Sequence, residues 1–303
     1  MIVQIYEIQT PQEAEVCIEA GVDHIGSVLF SKDDWRQPPL KEVIQLSEAA
    51  GVKNSIIPLF HEEHSLYKVL DYYHPAYLHF CETLTTDQGQ GRQRELGPMI
   101  ERQGRLKDKF PGTGIIRTIP IPGKASVPHD LPFLEMARAF ERVTDFFLVD
   151  TWVESAPVEG FIGITGRTAD WDRAKELVFN TDLPVLLAGG LSPENVYEAL
   201  LKVFPAGADS CTQTNQLDES GKTVRLKKDV EKVKKFVSEV RRAQETLVQE
   251  ATRLTLRLNE LKEELREREA ALPAHSVRPH QLLAIEELEE EITLQEKKLE
   301  HLK

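Results

Sequence analysis

Cysteine is scarce. Cys17, Cys81 and Cys211 are the only three, and no two form a CxxC pair. An odd, scattered set excludes a disulfide framework and an all-cysteine zinc site. Long apolar runs are missing too: none reaches 18 residues, and the N-terminal MIVQIYEIQT has no basic stretch followed by a long apolar one. The expectation is a soluble protein of a reducing cytoplasm, with no membrane role. Positive charge is also short, with 37 Lys+Arg against 50 Asp+Glu and a net charge of -13 over 303 residues. That balance argues against a nucleic-acid partner, which needs a basic face. What is present suffices for a core: 41% of residues are hydrophobic and 29% charged, which is unlike a disordered chain.

Glycine and aromatic residues stop near position 243. Residues 244–303 contain neither, and their only prolines are Pro273 and Pro279. This tail carries 14 Glu and 9 Lys+Arg. The expected division is therefore 1–243 and 244–303.

In the first region, eight short apolar runs alternate with longer amphipathic ones. The strand-like runs are 2–8, 23–30, 54–60, 76–80, 114–119, 145–150, 184–188 and 207–211. Helix-like segments fall at 11–20, 39–50, 63–73, 92–109, 131–143, 170–179, 193–202 and 228–243. Thr10–Pro11 and Ser192–Pro193 each place an N-cap residue before a proline. Near-continuous apolar strands between helices indicate a covered parallel sheet. Eight such units fit a (β/α)8 barrel. The alternative, a doubly wound open sheet, usually brings a Gly-rich first turn, whereas EIQTPQEAE has no glycine.

In a barrel, chemistry sits at the C-terminal strand ends. Gly189–Gly190, in LLAGGLSPENV, follow the seventh strand. The pair is either a tight turn or an anion cradle in which backbone N–H groups and a helix start meet a phosphate. GITGRTADW, with Gly163, Thr165 and Gly166, follows the sixth strand and reads as an anion-binding or plain polar loop. Asp150 ends DFFLVD. A carboxylate there is either a general acid or base, its pKa raised by burial, or a structural cap.

These segments together resemble the phosphoribosylanthranilate isomerase family, (β/α)8 barrels of tryptophan biosynthesis. VDT, GITGRTADW and LLAGGLSPENV are similar to its LLDT, GGTGKTFDW and LAGGLTPENV. DDWRQP holds its arginine as Arg36, YLHF keeps its histidine as His79, and GADSCTQTN, with Asp209, stands at its phosphate loop. The resemblance implies rearrangement of an aminoaldose phosphate to an aminoketose phosphate. Asp150 would be the acid, Arg36 would meet an aromatic carboxylate, and Gly189, Gly190 and the loop of Asp209 would hold phosphate. No metal or organic cofactor is implied.

The departures concern the base. The family's KICGIT cysteine is replaced by Tyr6, with Gln4 and Glu7 in place of Lys and Gly. A phenol near pKa 10 is a poor base beside a thiol near 8.5. Gln213 stands where the family has a phosphate glycine. Strand alternation sets Glu7 on the face opposite Tyr6 unless the strand bends. His79 and Cys81 share a face, so Cys81 is either a relocated thiol or a small buried residue.

In the tail, Leu247, Ala251, Leu254, Leu258, Leu261 and Leu265, then Ile285, Leu288, Ile292, Gln295, Leu299 and Leu302, follow heptad steps. The pattern predicts an antiparallel, coiled-coil-like helical hairpin. Its expected role is association with another subunit or a protein partner, or folding back on the chain. Two functional readings result: an isomerase-like enzyme with altered or weakened activity, or a non-catalytic protein that binds a phosphorylated ligand.

Overall fold

The computed structural model describes residues 1–85, 95–123, 131–153, 158–272 and 278–300. Eight parallel strands close into a barrel in sequence order: β1 (Ile2–Ile5), β2 (His24–Leu29), β3 (Lys53–Pro58), β4 (Tyr77–Phe80), β5 (Gly114–Pro122), β6 (Phe146–Trp152), β7 (Val185–Leu187) and β8 (Gly207–Ser210). Closure pairs Ile2 with Gly207 through Ile5 with Ser210. The open-sheet alternative is thereby excluded. All six residues of β2 are buried, as expected where helices cover one face of a strand and a filled barrel lies on the other. The covering helices are α1 (Pro11–Glu19), α2 (Pro38–Ala49), α3 (Glu63–Tyr73), α4 (Gly97–Lys109), α5 (Phe133–Phe140), α6 (Trp171–Phe179) and α7 (Val196–Val203).

Local signals explain several boundaries. Thr10 caps α1 by accepting from Glu13 N. Asp170 caps α6 by accepting from the N–H groups of Asp172 and Arg173. Ser192 caps the turn that leads into α7: its Oγ accepts from Glu194 N at 3.1 Å and its N–H donates to Asn195 Oδ1 at 2.8 Å, and the regular helix begins at Val196. The helix N-terminus is thus set back from Gly189–Gly190. β1 stops at Ile5, short of the expected end, because Glu7 takes a left-handed φ of 63°. β6 runs past Asp150 to Trp152.

A small antiparallel hairpin, β9 (Asn215–Leu217) and β10 (Thr223–Lys228), follows β8 and a short 3-10 turn at Thr212–Thr214. It was not expected, since NQLDESGKTVRLKK contains no apolar run. Its turn is organised by Asp218, whose Oδ1 accepts from Ser220 N and Lys222 N at 2.9 Å.

The chain divides into two compact units, Met1–Arg241 and Arg242–Lys303. In the first, Tyr6, Ile116, Leu148, Leu186 and Ala188 form a cluster inside the barrel. Full burial of each large apolar side chain contributes about 1.5–3 kcal/mol. α8 (Val230–Ala270) is one uninterrupted helix of 41 residues, about 61 Å at 1.5 Å per residue. α9 (Pro279–Glu300) follows. In the second unit, Leu258 and Leu261 pack with Leu288 and Ile292, flanked by Leu265 and Leu299. These residues occupy the heptad positions.

Candidate active site

β1 sends Tyr6 into the barrel interior, where its ring fills space that β2 yields at Gly26. A Cβ at Gly26 would lie 2.2 Å from the ring. The phenol oxygen is 2.7 Å from Ser55 Oγ and 2.6 Å from His79 Nδ1. His79 Nε2 is 2.8 Å from Thr118 Oγ1. Burial, then the charge of Arg117, lowers the His79 pKa to about 3, so the imidazole is neutral. A neutral imidazole offers one donor and one acceptor. If Ser55 donates to Tyr6 and Tyr6 to Nδ1, Nε2–H donates to Thr118 and all four groups are satisfied. Burial holds the Tyr6 phenol well above its ordinary pKa, against the opposing Ser55 hydrogen bond.

Two adjoining clefts open at the strand ends. The larger, about 550 Å³ with its mouth, is lined by Tyr6, Glu7, His79, Cys81 and apolar side chains, and by Asp150, Asp209 and Cys211. The smaller, about 310 Å³, is lined by Thr165, Gly166, Gly189, Gly190 and Gln213, and again by Asp150, Asp209 and Cys211. Asp150 and Asp209 therefore stand on the shared wall.

Asp150 is partly exposed at that wall. Its Oδ1 accepts from Thr151 N at 2.7 Å, and its other oxygen occupies the space where a Cβ of Gly163 would be, 2.3 Å away. Burial raises its pKa to about 6, against that backbone bond. Asp209 is buried, with Oδ1 accepting from Gln4 Nε2 at 3.1 Å. Burial raises it to about 8; the Gln4 bond opposes this and the Asp150 charge adds to it. Burial also pushes the thiols of Cys81 and Cys211 up, away from thiolate. Glu7 differs. Burial pushes its carboxyl up, but the hydrogen bond and charge of Arg225, with the charge of Lys228, outweigh this and hold it below its ordinary value.

The glycine pair has a packing role. A Cβ on Gly190 would meet the Arg167 carbonyl carbon at 2.6 Å, and one on Gly189 would meet Thr151 Oγ1 at 2.5 Å. The loop after β6 thus rests on the loop after β7. Thr151 Oγ1 donates to Arg167 O at 2.6 Å, and Gln213 Nε2 to Gly166 O at 3.1 Å.

A family model described as N-(5'-phosphoribosyl)anthranilate (PRA) isomerase matches residues 113–239. The N-(5'-phosphoribosyl)anthranilate isomerase of Methanosarcina acetivorans is 37% identical over 131 residues, 42% of this chain and half of that protein's length. That of Methanocella arvoryzae is 35% identical over 248 residues, 79% of this chain and 97% of that protein. The chain belongs to the PRA isomerase family. The structure of the Pyrococcus furiosus PRA isomerase superposes with a TM-score of 0.55 at 19% identity, over 80% of this chain and 99% of that one. The Thermotoga maritima enzyme gives 0.53 at 21%, over the same shares. At these identities the structures show the shared barrel.

Of the residues singled out in the sequence, the larger cleft gathers Tyr6, His79, Asp150 and Asp209. The smaller gathers Thr165, Gly166, Gly189 and Gly190, again with both aspartates. Gly163 backs Asp150. Arg36 is not among the residues lining either cleft; its guanidinium lies over the Tyr72 ring at 4.8 Å. His79 and Cys81 line one cleft, as alternation requires. The same rule placed Glu7 opposite Tyr6 unless the strand bends, and it does bend: with φ at 63° the chain leaves the strand, and both residues line the larger cleft. Arg225, on β10, was not anticipated. It depends on a hairpin that carries no sequence signal.

Proposed function

We propose that the barrel carries out the rearrangement for which its relatives are named, on a phosphorylated aldosylamine bearing an aromatic substituent, and that Asp150 and Asp209 move the protons. Asp150 gives its proton to the sugar-ring oxygen. The ring C–O bond breaks and the nitrogen lone pair forms an iminium. Asp209 takes the C2 proton; the C–H electrons form the C1–C2 double bond and neutralise the iminium. The resulting enolamine becomes the aminoketose by proton return. The carrying observation is the pair of carboxylates on the wall shared by both clefts, raised to about 6 for Asp150 and about 8 for Asp209; the reactive form, with Asp150 protonated and Asp209 ionised, is a minority of the molecules at neutral pH. Groups so perturbed in a cleft are functional candidates.

In this reading Tyr6 does not replace the family thiol as base. Its raised pKa and its bonds to Ser55 and His79 suit a fixed neutral group. Asp209 is read as a proton acceptor rather than a phosphate ligand, since in its ionised, reactive form it repels a phosphate dianion. Phosphate binding falls to the smaller cleft, beside Gly189 and Gly190. One solved PRA isomerase is held with reduced 1-(o-carboxyphenylamino)-1-deoxyribulose 5-phosphate, a ligand of the class proposed. No cofactor is required, the protein acts in the cytoplasm, and residues 244–303 associate with a second copy or a protein partner.

The experiment is turnover of phosphoribosyl anthranilate by wild type, Asp150→Asn and Asp209→Asn. Wild-type turnover lost in both variants supports the reading. Tyr6, Cys81 and Cys211, all held protonated, favour a second reading, ligand binding without chemistry. That reading gains if wild type is inert and Tyr6→Cys acquires turnover.

A further inference from the structure

A polar chain lies behind the proposed proton acceptor. Gln4 on β1 pairs in register with His24 on β2 and with Asp209 on β8. Residues so paired across parallel strands share a face of the sheet, and all three are buried, Gln4 completely. Gln4 Nε2 donates to Asp209 Oδ1 at 3.1 Å, and Gln4 Oε1 is 3.3 Å from His24 Nδ1. His24 stands at the start of β2, where its ring meets those of Tyr77 and Phe146 at centroid distances of 5.4 and 6.1 Å. Asp209 lines both clefts and Gln4 neither. The chain thus crosses the interior from the N-terminal end of the barrel to the proposed site.

His24 sets the orientation of the amide. Burial lowers its pKa to about 4, so the imidazole is neutral, with one donor and one acceptor. With the proton on Nδ1, His24 donates to Gln4 Oε1, and the Gln4 NH2 group is turned toward Asp209. An N–H aimed at a carboxylate favours its ionised form, and the Gln4 bond opposes the effect of burial on Asp209. The lysine that the family resemblance implies at position 4 would set a full charge against this carboxylate. The neutral amide steadies the ion and still lets it take up a proton. Among the described residues, the other charged and titratable groups around Asp209 act on it without a bond. Asp150 on β6 repels its charge, and Lys228 on β10 favours it from a distance, with Nζ bonded to Cys211 O and Asn215 Oδ1. Tyr6 and Cys211 are held protonated. Glu7, across the larger cleft, is bonded to Arg225, and neighbouring β7 brings only Val185, Leu186 and Leu187.

We infer that Gln4 is a positioning residue for the proposed proton transfer: its amide, set by His24, holds the Asp209 carboxylate by Oδ1 and leaves the other oxygen to meet the substrate's C2 hydrogen. This rests on the role given to Asp209 above. Gln4 and His24 keep their own protons throughout; Asp209 alone gains one and returns it.

The test is the pH profile of kcat for phosphoribosyl anthranilate turnover by the full chain. The reactive form has Asp150 protonated and Asp209 ionised, so the profile is flat between the two pKa values and its alkaline limb begins at the higher one, that of Asp209. Gln4→Met keeps the side-chain length and removes the donor. Its alkaline limb should move up by about one pH unit while kcat on the plateau falls about 10-fold, with KM unchanged. Gln4→Lys should move the limb down. His24→Phe does not touch Asp209, yet it should move the limb up by less than Gln4→Met does, and it decides the matter where Gln4→Met does not fold. An inert wild type overturns the reaction class and this inference with it. An active wild type whose alkaline limb stays in place in Gln4→Met or His24→Phe, or moves the same way in Gln4→Met and Gln4→Lys, overturns the inference alone.

Discussion

Replacing Gly26 with alanine tests whether the barrel interior is built around Tyr6. The added methyl would stand 2.2 Å from Tyr6 Cδ1 and Cε1 and 2.6 Å from Cζ. The ring cannot swing aside without breaking its bonds to Ser55 and His79 at 2.7 and 2.6 Å. Overpacking of this kind costs about 1–3 kcal/mol, while alanine gains about 0.5–1 kcal/mol over glycine within a strand. The net expectation is a loss of about 0–2.5 kcal/mol in the wild-type background. Tyr6→Cys alone should cost about 3–5 kcal/mol, the range for deleting a buried aromatic ring. In that background the methyl enters vacated space, so Gly26→Ala should become stabilising. The four proteins of the cycle, followed by urea denaturation, should show a favourable coupling of about 1–3 kcal/mol between the two substitutions. Additivity within about 0.5 kcal/mol, the behaviour of independent sites, would refute the argument that the glycine and the phenol depend on each other.

Two further expectations concern buried charge. The unfolded chain releases the Asp150 and Asp209 protons near the ordinary value of 3.8, the folded chain near about 6 and about 8. Between those limits the folded state binds more protons, so stability falls as pH rises from about 4 to 8. Asp209→Asn should flatten the upper part of that fall, and a wild-type unfolding midpoint constant across the window would count against the burial described. Glu82 takes the guanidinium of fully buried Arg117 on Oε2 at 2.5 Å and that of Arg102 on Oε1. Glu82→Gln should therefore cost about 3–5 kcal/mol in denaturation, because it leaves a buried cation uncompensated. Glu62→Gln, which breaks an exposed pair with Lys32, should leave the midpoint in place.

The barrel was legible because its signal is local and repeated. Each of the eight apolar runs became a strand, and the heptad leucines Leu258, Leu261, Leu288 and Ile292 became the seam between α8 and α9. Residues that act where they stand were legible as well. Asp150 sits on a strand of near-continuous apolar character, and that context alone marks a carboxylate as unusual. What escaped depends on one residue leaving its element. Glu7 reaches the cleft through a single left-handed dihedral, which alternation cannot foresee. Arg225 arrives on a polar hairpin held by pairing and by the Asp218 turn rather than by apolar burial. Ser192 caps as its sequence suggests, with Asn195 closing the reciprocal bond, but an intervening turn delays the regular helix to Val196. Gly189 and Gly190 are readable as flexible residues, yet the atoms filling their missing Cβ positions come from Arg167 and Thr151, about 20 to 40 residues away in sequence.

A phenol at position 6, where the family resemblance implies a thiol, fixes one part of the rim. Tyr6 binds β1 to β3 through Ser55, and His79 carries the connection from β4 to β5 through Thr118. One side of the interior thereby becomes a closed polar brace, with its hydrogens committed. The groups still able to exchange a proton near neutrality lie on the opposite side, on β6 and β8, where Asp150 and Asp209 also border the cleft beneath Gly189 and Gly190. In the proposed reaction this gives the substrate a direction. Its phosphate lies at the loops after β7 and β8, its sugar ring between the aspartates, and its amino substituent in the larger cleft. Altering the sugar should then be felt in kcat through the aspartates, and altering the aromatic group in KM, since only the first group meets atoms that change bonding.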